Sequence, residues 1–502
     1  MSRMLNDRTP ILIGIGEATH RSKEAPGLEP LALMEQALRA AEQDAGAPLL
    51  SSLDALDVVC EYSWPYTDAP GLLAARLGRR PDHLVYGETG GESPVRFIHE
   101  AALRIARGES QVAAIVGAEA RYTVDAAAKA GVALPWTPRD DSVTLVRGTA
   151  LCHPVAVQLG AYMPTTIYPF YENATLAHWG QTPREAQAES ARLWARYSEV
   201  AAGNPHAWLQ RRFTPDEVAE PSAANRLIAW PYTKHMVANP LVNMGAAVLL
   251  TSTGHARALG IPEARWVHIW GGAAAREPRD YLQRDHYVGS HAQDLVMETV
   301  LAQAGGDAEA FDMLELYSCF PVVPKMARRT LGLAADARMT STGGLSFFGA
   351  PLNNYMTHAA CGLVRALRAA PGKAALLYGQ GEYVTKHHAL VLGAGPSLHG
   401  ALDQDYSVQA AADARRGTVP PLVLDHRGPA RLETFTAIYG RDGRATHGVL
   451  IARTEGGARL MARLPGADAA GIAVLTDAER SPVGRHGRVA PAADGLLDWS
   501  FQ

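Results

Sequence analysis

The chain has 502 residues, 20% of them charged, with a formal net charge of −4 and a pI near 6.5. That length exceeds one compact core and predicts two to four packed units. The charge balance lacks the basic excess that nucleic acid or an anionic membrane demands, so an anionic ligand must find local cations. The start, MSRMLNDRTPILIGIGEA, is too short in apolar residues for a signal peptide, and no run of about 18 apolar residues follows. A cytoplasmic protein without membrane insertion is expected. Four cysteines (Cys60, Cys152, Cys319, Cys361) are scattered without metal-ligand pairing, so neither a zinc site nor a disulfide framework is expected from them.

In chain order, Gly14–Ala18 (GIGEA) lacks the third glycine of a dinucleotide fingerprint and reads as a first strand. Residues 85–120 read as strand, elbow, helix and strand. Gly90-Gly91 forms the elbow, Pro94 suits the first helical position, and Phe97, Ala101, Leu103 and Ile105 keep helical spacing up to Gly108. QVAAIVGAE then has the composition of a buried parallel strand. A fainter copy follows later: STGGLSFFGAPLNN, a helix over Met356–Ala369 and the strand KAALLYGQG, which suggests a duplicated α/β half.

Between the copies, about 121–240 is aromatic and irregular, as an insertion covering a site would be. It holds a helix with Thr182 and Glu185 spaced as a capping box, Pro183 in its first turn, and Leu193, Trp194, Tyr197 and Val200 on one face. GAGPSLHGALDQDYS, from Gly393, reads as a polar linker. Beyond about Val419, Asp442-Gly443 and Gly456-Gly457 separate short strands in hairpin grammar, predicting a small antiparallel barrel that behaves as a separate unit.

Three segments then carry a family resemblance: NPLVNMGAAVLLTSTGHARALGI, TGGLSFFGAPLNN and ELYSCFPVVPKMARRTLGL. They resemble diagnostic segments of thiolases, specifically the sterol-carrier-protein group and bacterial thiolase-like proteins of type 1. NPHAWLQRRFTPDEVAEP is similar to that group's loop domain. The resemblance implies an α/β, five-layered αβαβα fold of two duplicated halves, 1–265 (with the loop domain at about 121–240) and 266–398. An add-on OB-like antiparallel β-barrel over 415–502 completes it, with a CoA-thioester site under the loop domain.

Thiolase chemistry needs a thiolate, a histidine to activate it, a second cysteine as acid/base, and oxyanion donors. By position in the resemblance, the nucleophile becomes Gly91, the histidine Ala350, and the second cysteine Leu377, or Gly379 in a register two residues later. Cys-dependent thiolysis is therefore not expected. Glycine is retained at Gly91 and Gly379 (Gly381 in the alternative register), whose main-chain amides would still form the family's oxyanion hole.

Tyr317, in the family's Tyr-x-Cys-Phe segment, is the candidate proton carrier, and would need its phenol lowered from about 10 to act as a base. Cys319 is read as packing. Glu92 at the helix start is either a base or a carboxylate stabilised by the helix dipole. His358, His387 and His388 lie near the second elbow and the following turn. Arg211, Arg212 and Lys234 are candidates for the CoA phosphates, and Tyr168, Tyr171 and Trp179 for an apolar acyl cover.

The expected function is that of a thiolase-like, acyltransferase-family protein handling acyl-CoA. The alternatives are a retro-aldolase acting on β-hydroxyacyl-CoA, as in relatives that share the tyrosine and a small barrel partner, and a non-catalytic acyl-CoA binder. No cofactor or metal is expected beyond the CoA thioester itself, no nucleic acid, and a monomer or homodimer.

Overall fold

The computed structural model describes residues 7–22, 26–143, 145–397 and 402–501; part of the polar segment read as a linker, 398–401, lies outside the described residues. The strands in chain order are β1 (Pro10–Thr19), β2 (Ala55–Val58), β3 (His83–Tyr86), β4 (Val112–Ala120), β5 (Leu227–Ala229), β6 (Tyr232–Thr233) and β7 (Asn243–Ser252). The later half supplies β8 (Val267–Arg276), β9 (Met313–Leu316), β10 (Ala374–Gly381) and β11 (Lys386–Gly393).

The order β3-β2-β4-β7-β1-β8-β11-β10-β9 contains the duplication. From the β1–β8 junction outward, β1-β7-β4-β2 and β8-β11-β10-β9 run through the same sequence of pairings. Two steps are antiparallel in each arm and the third is parallel. Helices repeat with them. Helix α1 (Pro30–Ala45) follows β1 and α2 (Ala69–Leu77) follows β2. Helix α3 (Ser93–Arg107) precedes β4.

Helix α3 starts on Ser93, with Pro94 in its first turn, and stops on Gly108 in the left-handed conformation, with Arg104 and Arg107 in its last turn. Nearly every residue of its central turns is buried, as a helix between the two arms requires.

The insertion contributes α4 (Pro164–His178) and α5 (Pro183–Ala202). The capping box of α5 is formed: Glu185 N–H donates to Thr182 Oγ1 at 3.2 Å and Thr182 N–H donates to Glu185 Oε2 at 2.8 Å. The second half then gives α6 (His291–Gln303), α7 (Val322–Thr330) and α8 (Tyr355–Arg368). Helices α3 and α8 touch each other and strands of both arms, forming the middle of five layers.

A wholly buried ion pair ties the insertion to α7. Lys325 Nζ bonds Glu172 of α4 and, at 2.9 Å, Ser190 Oγ of α5, while Tyr232 Oη donates to Glu172 Oε2 at 2.7 Å.

The C-terminal strands are β12 (Gly428–Tyr439), β13 (Ala445–Thr454), β14 (Arg459–Pro465), β15 (His486–Pro491) and β16 (Leu497–Phe501). They close in the order β12-β13-β14-β16-β15 and back to β12 around Leu432, Phe435, Leu450, Leu460, Leu464 and Trp499. One step, β14–β16, is parallel rather than antiparallel, because the chain between them passes through a helix and β15 instead of a tight turn.

The barrel is docked rather than tethered. Ile438 of β12 pairs with Ala229 of β5 in the insertion, Asn173 Nδ2 donates to Phe435 O at 2.8 Å and Thr434 Oγ1 donates to Phe170 O at 2.5 Å. Arg459, fully buried, pairs with Glu433 at 2.8 Å, donates to Leu282 O at 2.8 Å and lies over the Tyr287 ring.

Candidate active site

The first elbow is held by the second. Gly90 N–H donates to Asn353 Oδ1 at 3.1 Å, and Asn353 Nδ2 donates to Cys60 O at 2.8 Å. Asn354 Nδ2 donates to Gly117 O at 2.6 Å. Two asparagines thus lock the junction of the halves through main-chain groups alone.

At Gly91 there is no room for a side chain. A Cβ built there runs into the Tyr317 hydroxyl, lies 2.5 Å from Gln380 O and 2.7 Å from Tyr317 Cζ. The phenol of Tyr317 therefore occupies the space into which a nucleophile at this position would project. Its ring is edge-on to Tyr355 at 6.0 Å, and its hydroxyl makes no hydrogen bond among the described residues. Burial, then the nearby Cys319 and Glu92, push the phenol well above its ordinary range, so near neutrality it is a donor and not a base.

Around it the interior is knitted shut. The Tyr168 hydroxyl lies 2.9 Å from Gln380 Oε1 and 2.7 Å from Glu382 O, and Gln380 Nε2 donates to Gly381 O at 2.8 Å. Cys319 Sγ is 3.8 Å from Gln380 Oε1, and burial pushes its thiol up to about 12, which leaves it protonated packing. Ala350 and Leu377 are buried and offer neither acid nor base.

Glu92 is the polar group at this centre. Its carboxyl lies in the gap left by two missing side chains, since a Cβ on Gly90 or Gly381 would overlap it. It makes no side-chain cap on α3. Oε2 is buried without a partner among the described residues, and the nearest cation, Lys386 Nζ, is 4.0 Å from Oε1. Burial raises the carboxyl above its ordinary range against the pull of Lys386. This is the opposite of dipole stabilisation at a helix start.

Glu92 lines a cavity of about 440 Å³ together with Arg96, Arg276, Lys386, His388 and Tyr406. His388 Nε2 is 2.9 Å from His99 Nδ1, and burial lowers both imidazoles, His99 to about 4, so the pair is neutral. His387 is occupied by the Tyr378 hydroxyl at 2.7 Å.

Of the residues nominated from sequence, Gly91, Gly379 and Tyr317 come together: a Cβ on Gly379 would lie 2.9 Å from Glu92 Cα, one residue from Gly91. His388 lines the cavity with Glu92, whereas Gly91, Gly379 and Tyr317 lie behind Glu92 and do not line it. His358 is bound elsewhere, at 2.8 Å from Glu17, whose carboxyl is pulled to about 2 against its burial by His358, His206 and Arg365. Arg211 pairs with Glu217 and covers the Phe213 ring, and Arg212 and Lys234 are exposed; none of the three lines this cavity.

Tyr168 and Tyr171 are interior, and Trp179 stacks on Arg329 at 3.6 Å. Arg96, Arg276 and Lys386, the cations that do line the cavity, were not picked out from the sequence. Glu92, Arg96 and His99, spaced i, i+4, i+7, were the available signal for one polar stripe on α3.

Behind the elbow, two further carboxyls are buried. Glu61 accepts from Tyr86 Oη and, at 3.3 Å, from Tyr66 N–H, and burial raises it to about 8. Glu119 accepts from Tyr62 and Ser63 N–H at 2.7 and 2.8 Å and is raised to about 7 by burial. Folded values above the unfolded ones mean that the folded chain holds more protons, so stability is full below pH about 4.5 and falls as pH rises through about 7–8. The melting temperature should decline from pH 5 to 8.5, and Glu61→Gln should flatten that slope. An unchanged slope in the variant would refute the assignment.

Residues 408–495 match the family model described as the thiolase-like protein type 1 additional C-terminal domain. A monomeric SCP2-thiolase-like protein type 1 from Mycobacterium smegmatis superposes with a TM-score of 0.84 at 28% identity, over 99% of this chain and 100% of that one. The Ltp2-ChsH2(DUF35) aldolase gives 0.59 at 20% identity, over 77% and 98%. Human mitochondrial 3-ketoacyl-CoA thiolase in complex with CoA gives 0.54 at 15%, over 78% and 99%. The last two likenesses concern the fold alone. No curated protein matches the chain. Among the described residues no helix is long and apolar enough to cross a membrane. With the duplicated five-layer core, the closed barrel and this C-terminal family domain in one chain, the protein has a thiolase fold and resembles the type 1 thiolase-like proteins.

Proposed function

We propose that this protein binds acyl-CoA thioesters and does not thiolyse them. The observation that carries this reading is the Tyr317 phenol in the space of the missing nucleophile at Gly91. Chemistry through an acyl-enzyme has no atom to start from there. CoA binding is supported by the cations Arg96, Arg276 and Lys386 around the 440 Å³ cavity beside the elbow, in a chain that is otherwise net acidic. It is further supported by the fold shared with a thiolase solved with CoA. Calorimetric titration with acetyl-CoA, palmitoyl-CoA and free CoA should give saturable binding of the esters. Arg276→Ala should weaken it about tenfold, the scale of one charge-assisted contact, and 3-ketoacyl-CoA should not be cleaved above blank. Binding indifferent to Arg276→Ala and Lys386→Ala, or robust Cys-dependent thiolysis, would overturn the reading.

A second reading, retro-aldol cleavage of a β-hydroxyacyl-CoA, is favoured by the unpartnered Glu92 Oε2 at the cavity. A carboxylate of raised basicity takes the hydroxyl proton, the C–C bond breaks to an aldehyde or ketone, and the enolate left on the thioester accepts a proton. Carbonyl release that Glu92→Gln abolishes is expected on this reading; no release from the wild type removes it and leaves the binding proposal standing.

A further inference from the structure

We propose that Asp285, His286 and His291 form a binding site for a divalent transition metal, Zn2+, at the seam between the second half and the barrel. The site is far in sequence from the elbow and uses no cysteine. One donor atom from each of the three residues lies within 4.8 Å of the others. His291 Nε2 is 2.9 Å from Asp285 Oδ2, and His286 Nε2 is 3.8 Å from the same oxygen. The two rings stand T-shaped, 4.9 Å apart at 71°, so their edges converge without stacking. Zn2+ holds nitrogen and oxygen donors at about 2.0–2.2 Å, which side-chain rotation of this set would have to supply, and two imidazoles with one carboxylate leave a position for water.

The carboxylate is already positioned from behind. Gly417 N–H donates to Asp285 Oδ2 at 2.8 Å, and His286 N–H donates to Oδ1 at 3.0 Å. The Asp285 carbonyl accepts from Arg453 at 3.0 Å and Arg459 at 3.3 Å, both barrel residues. Such supporting hydrogen bonds orient metal-ligating groups. His286 Nδ1 is buried without a partner among the described residues.

Asp294, in the first turn of α6, supplies a further carboxyl near the helix start, where a cation otherwise meets an unfavourable dipole. A bound ion would join α6, the turn at Gly417 and, through Asp285, the barrel.

The full-length protein, stripped with a chelator, should take up one equivalent of Zn2+ in a calorimetric titration. Co2+ added instead should give visible absorption from a protein-held ion. His286→Gln and His291→Gln should each weaken uptake at least about tenfold. The His286 side chain is 35% exposed, so His286→Gln should melt like the wild type without metal, which separates loss of a ligand from loss of fold. Absence of a saturable equivalent, or variants that bind as the wild type does, would overturn the proposal.

Discussion

Gly91→Cys should lower the melting temperature by several degrees and return no thiolysis. The new Cβ meets a phenol and, at 2.5 Å, the carbonyl oxygen of Gln380. A ring can turn aside; the carbonyl of Gln380, in the part of β10 paired with β11, cannot move without its strand. Overpacking of this kind costs about 1–3 kcal/mol and more where backbone is the obstacle. Combining it with Tyr317→Ala removes the ring but not the carbonyl, so the double variant should recover part of the loss. Neither variant gains a base, because Ala350 and Leu377 remain, and an unactivated thiol is mostly protonated near neutrality. A Gly91→Cys protein that melts within about a degree of the wild type would show that the elbow is looser than described.

Lys325→Met should be the most damaging single change away from the elbow. Lys325 and Glu172 are 0% and 1% exposed, so methionine leaves a buried carboxylate with the Tyr232 hydroxyl as its remaining partner. Breaking a buried pair from one side costs about 3–5 kcal/mol, whereas replacing both sides with apolar groups is often neutral. Lys325→Met/Glu172→Leu should therefore be more stable than Lys325→Met, and a denaturant double-mutant cycle measures the difference. Equal stability of Lys325→Met and the wild type would mean that water reaches the pair. Because Lys325 lies in the helix after Tyr317–Phe320, early proteolysis of the single variant should fall in the insertion.

What could be read from the sequence was whatever is local. The elbow helix carries its own start and stop at Pro94 and Gly108, and α5 its capping box, so both were legible to within a residue or two. The loss of thiolytic side chains was legible because glycine, alanine and leucine cannot do the chemistry in any fold. Convergence was not legible. Gly91 and Tyr317 belong to different halves, and nothing in either segment says that one fills the other's space. The cavity's cations come one each from α3, β8 and β11, whereas Arg211, Arg212 and Lys234 drew notice by clustering in sequence. Clustering says nothing about pairing, and Glu217, six residues on, already holds Arg211. The barrel read as a separate unit because its hairpins follow a polar segment, and nothing local marks Glu433, Arg453 and Arg459 as partners. Their mutual pairing, which lets Arg459 be buried, exists only once the strands meet.

The pairing of Ala229 with Ile438 also sets a timetable for the nascent chain. The β5–β6 hairpin leaves the ribosome about 200 residues before its partner strand, an interval of about 10–40 s at 5–20 residues per second. Through that interval the hairpin edge and the Asn173 amide wait without the groups that later satisfy them. An open strand edge is a template for foreign strands. Messages cut short near residue 400 thus release chains with a complete thiolase-like core and a sticky flank, and their fate is aggregation or degradation rather than service as a smaller protein.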